Sequence, residues 1–316
     1  MDASSALNET LFENRAWAGA KATISILTPF LHDDPTRLLA ALDREADALD
    51  GAVEMVLLDD GGGDEALAGA AALAVDRARL PARLLVLPTN LGRARGRNRL
   101  AAEARGRWLL FLDSDMAPDG PRFLRAYLDL IAEAEPAVAF GGFSLDQAPV
   151  RPELALHRYM ALKSDCAPAA SRRLEPEKHV FTSNLLVRRD VFEAEQFDAG
   201  FVGWGWEDVE WAMRVVRRHP ITHLDNTATH LGLDPAPMMV AKFEQSAANF
   251  ARVAARHRDT VARYPSYRVA RLLKIVPLKG LWRPMLRALG LAEGLPLPLR
   301  NLALRLYRAG LYADVI

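Results

Sequence analysis

The segment Trp108-Leu109-Leu110-Phe111-Leu112-Asp113-Ser114-Asp115 decides the fold class of this 316-residue chain. Its consecutive apolar residues are typical of a strand that is buried on both faces, as in a parallel sheet. The run ends at two carboxylates one residue apart, and the two-residue period of a strand sends both side chains to the same side. Open α/β sheets bind ligands at the carboxyl ends of their strands. The segment therefore predicts a ligand site at Asp113 and Asp115, with a helix cap or an Asx turn before Pro118 as the alternative.

Strand and helix patterns alternate on both sides of this segment. The patterns predict strands at 22–27, 53–58, 84–87 and 108–112, and helices at 35–48, 65–79, 93–104 and 122–135. This βαβαβαβ order requires a mostly parallel, doubly wound sheet with flanking helices. Further strands are predicted at 138–143 and 180–187, loop and short helix at 149–177, and helices at 207–218 and 234–257. The fold class is therefore α/β.

Composition and charge exclude several classes of protein. The formal net charge is zero, so nothing in the composition favours a nucleic-acid partner. The single cysteine, Cys166, excludes an internal disulfide framework. The N-terminus lacks the apolar core of a signal peptide, and no uncharged apolar run approaches the ~20 residues of a membrane-spanning helix. We therefore expect a cytoplasmic protein that binds no nucleic acid.

The segment 266–316 differs in character from the rest of the chain. It contains nine Lys and Arg residues against only Glu293 and Asp314, with apolar residues and Trp282 between the bases. Its prolines, at 277, 284, 296 and 298, are expected to divide it into short helices. A basic amphipathic segment with tryptophan can lie in a membrane interface, here the inner face of the cytoplasmic membrane. The alternative is a helical subdomain that packs on the core or on a second subunit, as in a homodimer.

The predicted domain organisation has three parts. An N-terminal extension covers 1–21, the α/β domain covers 22–234, and a helical, basic, amphipathic region covers 235–316. Within the α/β domain, polar residues end each early strand: Thr28, Asp59-Asp60, Asn90, and Asp113 with Asp115. A series of such endings on parallel strands forms one polar rim, because the carboxyl ends of these strands lie at one edge of the sheet. We interpret this rim as a ligand site.

Six segments together carry a resemblance to a known family. They are, in order, 24–29, 58–61, 90–98, 111–115, 182–189 and 201–208. With these segments the chain resembles the family 2 nucleotide-sugar glycosyltransferases, which have the GT-A fold. The motif Gly203-Trp204-Gly205-Trp206-Glu207-Asp208 is similar to one shared by β-1,4-galactosyltransferases and chondroitin-polymerase-type enzymes. Two segments depart from the family pattern: Phe30-Leu31-His32-Asp33 stands where Tyr-Asn-Arg is usual, and Gly62-Gly63 replaces Ser-Thr.

The resemblance implies that the donor is a UDP-sugar. Thr28 and Asp60 would hold the uracil ring, and Asp60 would accept a hydrogen bond from its N3–H. Arg97 would lie beside the base, and Asp113 would accept hydrogen bonds from the ribose hydroxyls. Without the resemblance, Thr28 and Asp60 are typical of a strand-end turn and Arg97 of a solvated helix face.

The resemblance also implies a divalent metal as cofactor, either Mn²⁺ or Mg²⁺. Asp115 would bind the ion, which would bridge the donor diphosphate, and His230 would be a further ligand. Such ions are commonly bound by one or two carboxylates together with substrate phosphates, and imidazole is also a ligand for transition metals. The alternative for a lone histidine is a structural role.

The motif at 203–208 implies the catalytic residues. Asp208 would act as general base on the acceptor hydroxyl, and Glu207 would position the acceptor. Trp204 would stack on the donor sugar, whereas Trp206 and Asn184 would contact the acceptor. Acidic residues also stabilise the N-terminus of any helix, and a buried tryptophan requires no ligand, so a structural role is the alternative for this motif.

These expectations combine into one predicted function. The chain is expected to be a metal-dependent inverting glycosyltransferase that moves a sugar from a UDP-sugar to a hydroxyl of a saccharide or a lipid-linked saccharide. Synthesis of a bacterial surface polysaccharide or glycolipid would be its role. The alternatives are a retaining GT-A transferase, a sugar nucleotidyltransferase and a catalytically inactive module that binds nucleotide sugars.

Overall fold

The structure is a computed structural model that describes residues 9–316. The strands are β1 (Thr10–Glu13), β2 (Ile24–Phe30), β3 (Val53–Asp59), β4 (Ala82–Val86), β5 (Trp108–Phe111), β6 (Met116–Pro118), β7 (Val138–Phe140), β8 (Phe143–Ser144), β9 (Leu185–Arg188), β10 (Ile221–His223) and β11 (Ala228–His230). The helices are α1 (Thr36–Asp43), α2 (Glu65–Arg77), α3 (Arg93–Glu103), α4 (Phe123–Ala134), α5 (Ala155–Ser164), α6 (Ala169–Arg172), α7 (Arg189–Ala194), α8 (Glu207–Val215), α9 (Ala236–Arg256), α10 (Arg258–Val261), α11 (Pro265–Lys274), α12 (Lys279–Leu291) and α13 (Leu297–Tyr312). Short 3₁₀ turns lie at Trp17–Gly19, Ala46–Ala48, Pro152–Leu154 and Pro176–His179.

The central sheet has eight strands in the order β1-β4-β3-β2-β5-β9-β7-β10. Strands β4, β3, β2 and β5 are mutually parallel, which confirms the predicted mostly parallel α/β architecture. Strand β9 runs antiparallel to both of its neighbours, and β10 pairs with β7 in parallel. Successive residues of β5 enter different apolar layers, Leu110 on one face and Phe111 on the other. Burial on both faces explains why this strand is an uninterrupted apolar run.

The structure differs from the prediction at the end of β2 and in the N-terminal extension, and β9 covers Leu185–Arg188 instead of the predicted 180–187. Strand β2 continues through Thr28 and Pro29 to Phe30, which pairs with Asp59 of β3. On its other edge, β2 pairs with β5 only as far as Leu27. Pro29 lies beyond this pairing, where its missing N–H leaves no gap in the β2–β5 ladder, so a proline is tolerated. Strand β1, in the predicted N-terminal extension, pairs antiparallel with β4. All four of its residues are exposed, so its sequence lacks the alternation of apolar and polar residues that predicts a strand.

A second, three-stranded sheet with the order β6-β11-β8 carries the histidine at the end of β11. The predicted strand at 138–143 is interrupted at Gly142, whose φ of +96° favours glycine, and Phe143–Ser144 joins this second sheet instead. In the antiparallel pair of β11 and β6, His230 is opposite Met116. The small sheet therefore places His230 next to the acidic end of β5.

The C-terminal helices pack directly on the α/β domain. Phe201 and Val209 share an apolar cluster with Phe250 of α9 and Tyr312 of α13. The predicted break at Pro284 is wrong, since this proline lies inside α12. Both Pro284 and Gly280, one helical turn earlier, are exposed. None of the helices described in residues 9–316 combines the length and apolar composition needed to cross a membrane.

Candidate active site

The rim at the carboxyl end of the sheet has β2 at its centre. Strands β3 and β5 flank β2 in parallel, so Asp60, after β3, and Asp113, after β5, lie on either side of it. Two backbone hydrogen bonds extend the pairing past the strand ends: Asp60 N donates to Phe30 O at 2.9 Å, and Leu112 N donates to Leu27 O at 3.1 Å. Both turns are thereby held against β2. The polar residues of successive strands face one edge of the sheet.

Asp115 lies next to a residue 115 positions away, His230, with Oδ2 at 3.1 Å from Nε2. Burial alone would raise the pKa of Asp115, but the hydrogen bond and charge of His230 lower it below its usual range. Burial opposes protonation of the imidazole, yet Asp115 raises the pKa of His230. A Cβ at Gly232 would lie 2.1 Å from Oδ2 of Asp115, so the chain reaches this position only with glycine. The carboxylate and the imidazole form a close pair at the rim.

Two arginines of α3 connect the end of β5 to the start of α8. Arg97 Nη2 donates to Asp113 Oδ1 at 2.5 Å, and Arg97 Nη1 lies 3.9 Å from Glu207 Oε1. Arg93 Nε donates to the same Glu207 oxygen at 2.5 Å. The Arg97 side chain is only 2% exposed. The guanidinium is therefore enclosed between two carboxylates, and its contact with the base stays a prediction.

Glu207 and Asp208 are adjacent in sequence but have different electrostatic surroundings. Burial would raise the pKa of Glu207, but Arg93 and Arg97 lower it, so this carboxylate is ionised. For Asp208, burial first and then the charge of Glu207 raise the pKa to about 7. Asp208 Oδ1 accepts a hydrogen bond from Val209 N at 2.8 Å, and within residues 9–316 no cation lies within salt-bridge distance of it. A carboxyl that titrates near neutral pH can exchange a proton with a substrate.

The Arg93 guanidinium acts on the carboxyl groups of both regions. Its positive charge lowers the pKa values of Asp115 and Glu207, and it opposes the upward shift at Asp208. The negative charges of Glu207 and Asp113 in turn raise the pKa of Arg93 itself. The structure therefore brings the acids after β5 and the acids of α8 together around one cation.

Asp60 and Thr28 are both buried at the rim. Asp60 Oδ1 and Oδ2 accept hydrogen bonds from Leu91 N at 2.8 Å and Gly92 N at 3.0 Å, which fastens the turn before α3. Burial raises the pKa of Asp60. The Thr28 hydroxyl is buried and has no hydrogen-bond partner among the described residues. Each oxygen of Asp60 and the Thr28 hydroxyl retain hydrogen-bonding capacity.

The two tryptophans of the loop before α8 have different environments. Trp206 Nε1 donates to the Tyr312 hydroxyl at 3.0 Å, and its ring packs on Phe250 with centroids 4.9 Å apart. Trp204 is half-buried against the cluster that contains Phe243. Trp206 thus uses its N–H and part of its ring inside the protein, and its stacking on an acceptor stays a prediction. Both tryptophans keep part of their surface exposed.

Asn184 is fully buried and its amide is used within the fold. Its Nδ2 donates to Gly142 O at 3.0 Å and to Asn226 O at 2.9 Å, and its Oδ1 accepts from the Tyr127 hydroxyl at 2.7 Å. The predicted acceptor contact of Asn184 does not fit this arrangement, because both amide protons are already donated to backbone carbonyls. The side chain instead connects the β7–β8 and β10–β11 turns to α4.

Residues 25–195 match the family model described as Glycosyl transferase family 2, which is more than half of the chain. The chain belongs to glycosyl transferase family 2. The protein is therefore a glycosyltransferase, and membership in this family implies a nucleotide-sugar donor. The motif at 203–208 lies outside the matched segment, so its likeness to the β-1,4-galactosyltransferase motif stays a prediction. A comparison with curated protein sequences gives no match.

Solved structures of other glycosyltransferases share the fold. A mannosyltransferase from Pyrobaculum calidifontis, solved with GDP-Man and Mn²⁺, has a TM-score of 0.60 at 14% identity, over 92% of this chain and 86% of that one. S. aureus TarS 1-349 has a TM-score of 0.53 at 17% identity, over 93% and 90%. Glucosyl-3-phosphoglycerate synthase from Mycobacterium tuberculosis has a TM-score of 0.50 at 19% identity, over 76% and 81%. These likenesses establish the GT-A fold.

Two residues of this family 2 site, Arg93 and Gly232, are not among the predicted site residues. Arg93 is the first residue of α3, where the helix dipole disfavours a positive charge. A basic residue at that position was a signal that an anion lies nearby. Gly232 has no comparable signal, because only the folded chain brings it against Asp115.

The residues present fit a divalent cation only together with a substrate. In the described part of the chain no three His, Cys, Asp or Glu side chains converge as a metal-binding group. Hard divalent cations in phosphate chemistry are bound by one or two carboxylates, with substrate phosphates and water completing the shell. Asp115 and His230, paired and about one quarter exposed, provide such an incomplete set.

Proposed function

We propose that this family 2 glycosyltransferase moves a sugar from a UDP-sugar to a hydroxyl of a saccharide or lipid-linked saccharide, with inversion and with Mn²⁺ or Mg²⁺. One observation carries the proposal. Within residues 9–316, Asp208 is a buried carboxyl with no cation at salt-bridge distance, its pKa is raised to about 7, and Arg93 acts electrostatically both on it and on Asp115, which pairs with His230. This arrangement would bring a general base and a metal site close together.

The donor side of the proposal rests on the rim and on the structural neighbours. S. aureus TarS 1-349 was solved with UDP-GlcNAc, and the Mycobacterium tuberculosis synthase with UDP-Glc and Mn²⁺. In this chain, Asp60 has spare lone pairs for the uracil N3–H, and the buried Thr28 hydroxyl has no hydrogen-bond partner among residues 9–316. Asp113, held by Arg97, presents its second oxygen to the ribose hydroxyls.

The proposed metal site consists of Asp115 and His230. The ion, when bound, would neutralise negative charge that develops on the departing diphosphate. Gly232 maintains the position of Asp115, since any side chain there would displace the carboxylate.

The proposed base is Asp208. As the acceptor oxygen attacks the anomeric carbon, Asp208 takes the hydroxyl proton, and the bond from that carbon to the diphosphate oxygen breaks. Glu207 stays ionised beside Arg93 and Arg97, and its charge contributes to the raised pKa of Asp208. The half-buried Trp204 supplies an apolar wall for the donor sugar.

A pair of carboxylate variants tests these assignments. With Mn²⁺ and a screen of UDP-sugars, Asp115→Asn is expected to lose metal-dependent donor binding, measured calorimetrically. Asp208→Asn is expected to bind the donor but to release UDP about 10²- to 10⁴-fold more slowly, the usual contribution of a general base. Asp198→Asn is the control, because Asp198 pairs with Arg252 and Arg256 outside this site.

The stereochemistry of the product provides an independent test. An anomeric proton signal for the configuration opposite to that of the donor supports inversion. Retained configuration, or loss of UDP binding in Asp208→Asn equal to that in Asp115→Asn, would contradict the proposal.

A further inference from the structure

The C-terminal helices concentrate positive charge. Of the 40 Lys and Arg residues of the chain, nine lie in 266–316, whereas only two of the 40 Asp and Glu residues do. The formal charge of the whole chain is zero, so the rest of the protein is acidic on balance. Such a one-sided distribution orients a protein against an anionic surface.

An exposed apolar surface lies within this positive region. We call it the α11–α12 ridge, and it consists of Leu272, Ile275, Leu278, Leu281 and Met285, whose side chains are 55–81% exposed. The last three of these residues line one shallow depression together with Pro277 and Trp282. Trp282 Nε1 donates to Pro277 O at 3.1 Å, which fastens the connecting turn to α12. The α12 side of the ridge is therefore one apolar surface, and Leu272 and Ile275 precede it along the chain.

The turn holds a leucine in an unfavourable conformation. Leu278 has φ +58°, in the left-handed region, and its side chain is 70% exposed. A left-handed leucine costs free energy, and an exposed leucine returns none through burial in the protein. An apolar partner outside the protein would account for both features.

Some basic residues of the region are free to meet that partner. Arg268 and Arg271 lie one turn before Leu272 and Ile275 on the exposed face of α11, and no carboxylate of the described chain lies within salt-bridge distance of either. Lys279 and Arg283, by contrast, pair with Asp314 at 3.1 Å and 2.6 Å. The charges of Arg268 and Arg271, at the α11 side of the ridge, are therefore uncompensated.

We propose that the α11–α12 ridge, with Arg268 and Arg271, binds the interface of an anionic phospholipid bilayer. The apolar side chains would enter the boundary between headgroups and acyl chains, and the two arginines would contact lipid phosphates. A second copy of the chain is the less favourable occupant, since two copies would bring like charges together. The proposal does not depend on the proposed sugar transfer.

Vesicle co-sedimentation tests this interaction surface. We expect the full chain to bind vesicles of phosphatidylcholine with added phosphatidylglycerol, and to bind phosphatidylcholine alone far more weakly. Arg271→Ala should weaken binding about fivefold at low salt, as expected for one interfacial cation. The double variant Leu278→Asp/Leu281→Asp should weaken it more than about tenfold, because the ridge loses its apolar character.

Matched variants elsewhere on the surface serve as controls. Leu174→Asp replaces a leucine that is 83% exposed outside the ridge, and Arg37→Ala removes an exposed arginine of α1. Both should bind vesicles as the unmodified chain does, and all variants should unfold at the same temperature. Equal binding by ridge and control variants would overturn the proposal. A dimer detected by light scattering would also overturn the proposal, if the double ridge variant dissociates that dimer and neither the unmodified chain nor the variant binds vesicles.

Discussion

Asp208→Asn should make the protein more stable while it removes the proposed base. The Asp208 carboxyl has a pKa of about 7 in the fold against 3.8 in its ordinary state, chiefly because it is buried. The folded state therefore holds this proton more tightly than the unfolded chain does. The stabilising contribution of the protonated carboxyl is complete below pH 3.8 and is lost as the pH rises to about 7.

The pKa shift bounds the magnitude of this effect. A shift of about three pH units corresponds to at most about 4 kcal/mol in the free energy of unfolding. Asparagine has nearly the same shape and stays neutral, so the variant avoids this loss. The stability advantage of Asp208→Asn should therefore grow by about 2 kcal/mol between pH 5.5 and pH 8.

Urea unfolding of both proteins across this pH range measures the difference directly, since the other titrating groups are common to both. Asp198→Asn is the control, because Arg256 and the N–H of Gly200 keep the pKa of Asp198 below its ordinary value despite burial. The stability difference for that variant should be constant over the same range. A constant difference for Asp208→Asn as well would show that Asp208 titrates as an ordinary carboxyl, and the assignment of a neutral-pH base would fail.

Two further substitutions test how the site is built. Gly232→Ala places a Cβ 2.1 Å from Asp115 Oδ2, so the Mn²⁺ concentration needed for half-maximal donor turnover should rise about 10- to 100-fold. The control, Gly120→Ala, has open space around it and should leave this concentration unchanged. An unaltered metal requirement in Gly232→Ala would contradict the Asp115 site. Trp206→Phe removes the 3.0 Å hydrogen bond to Tyr312 but keeps the ring contact with Phe250, so it should cost about 1 kcal/mol of unfolding free energy with little change in acceptor KM. A large rise in acceptor KM would support Trp206 as an acceptor contact.

Local sequence patterns were sufficient for the parallel strands β2, β3, β4 and β5 of the central sheet. The apolar runs of β3 and β5 indicated burial on both faces, and their alternation with helices required parallel strands. The same patterns predicted neither an exposed strand nor the direction in which a strand pairs with its neighbours. Strand β1 is wholly exposed, and β9 inserts antiparallel between β5 and β7 although its residues resemble those of a parallel strand.

The sequence by itself determined which residues stand at the ends of the parallel strands, because strand periodicity and chain order are local properties. Only the tertiary structure decided what each of them contacts. Asp115 lies beside His230, 115 residues away, and Arg97 is enclosed between Asp113 and Glu207. The pKa of Asp208 likewise depends on burial and on charges that reach it through space. A periodic pattern shows that a face is covered, but it does not show which distant segment covers it.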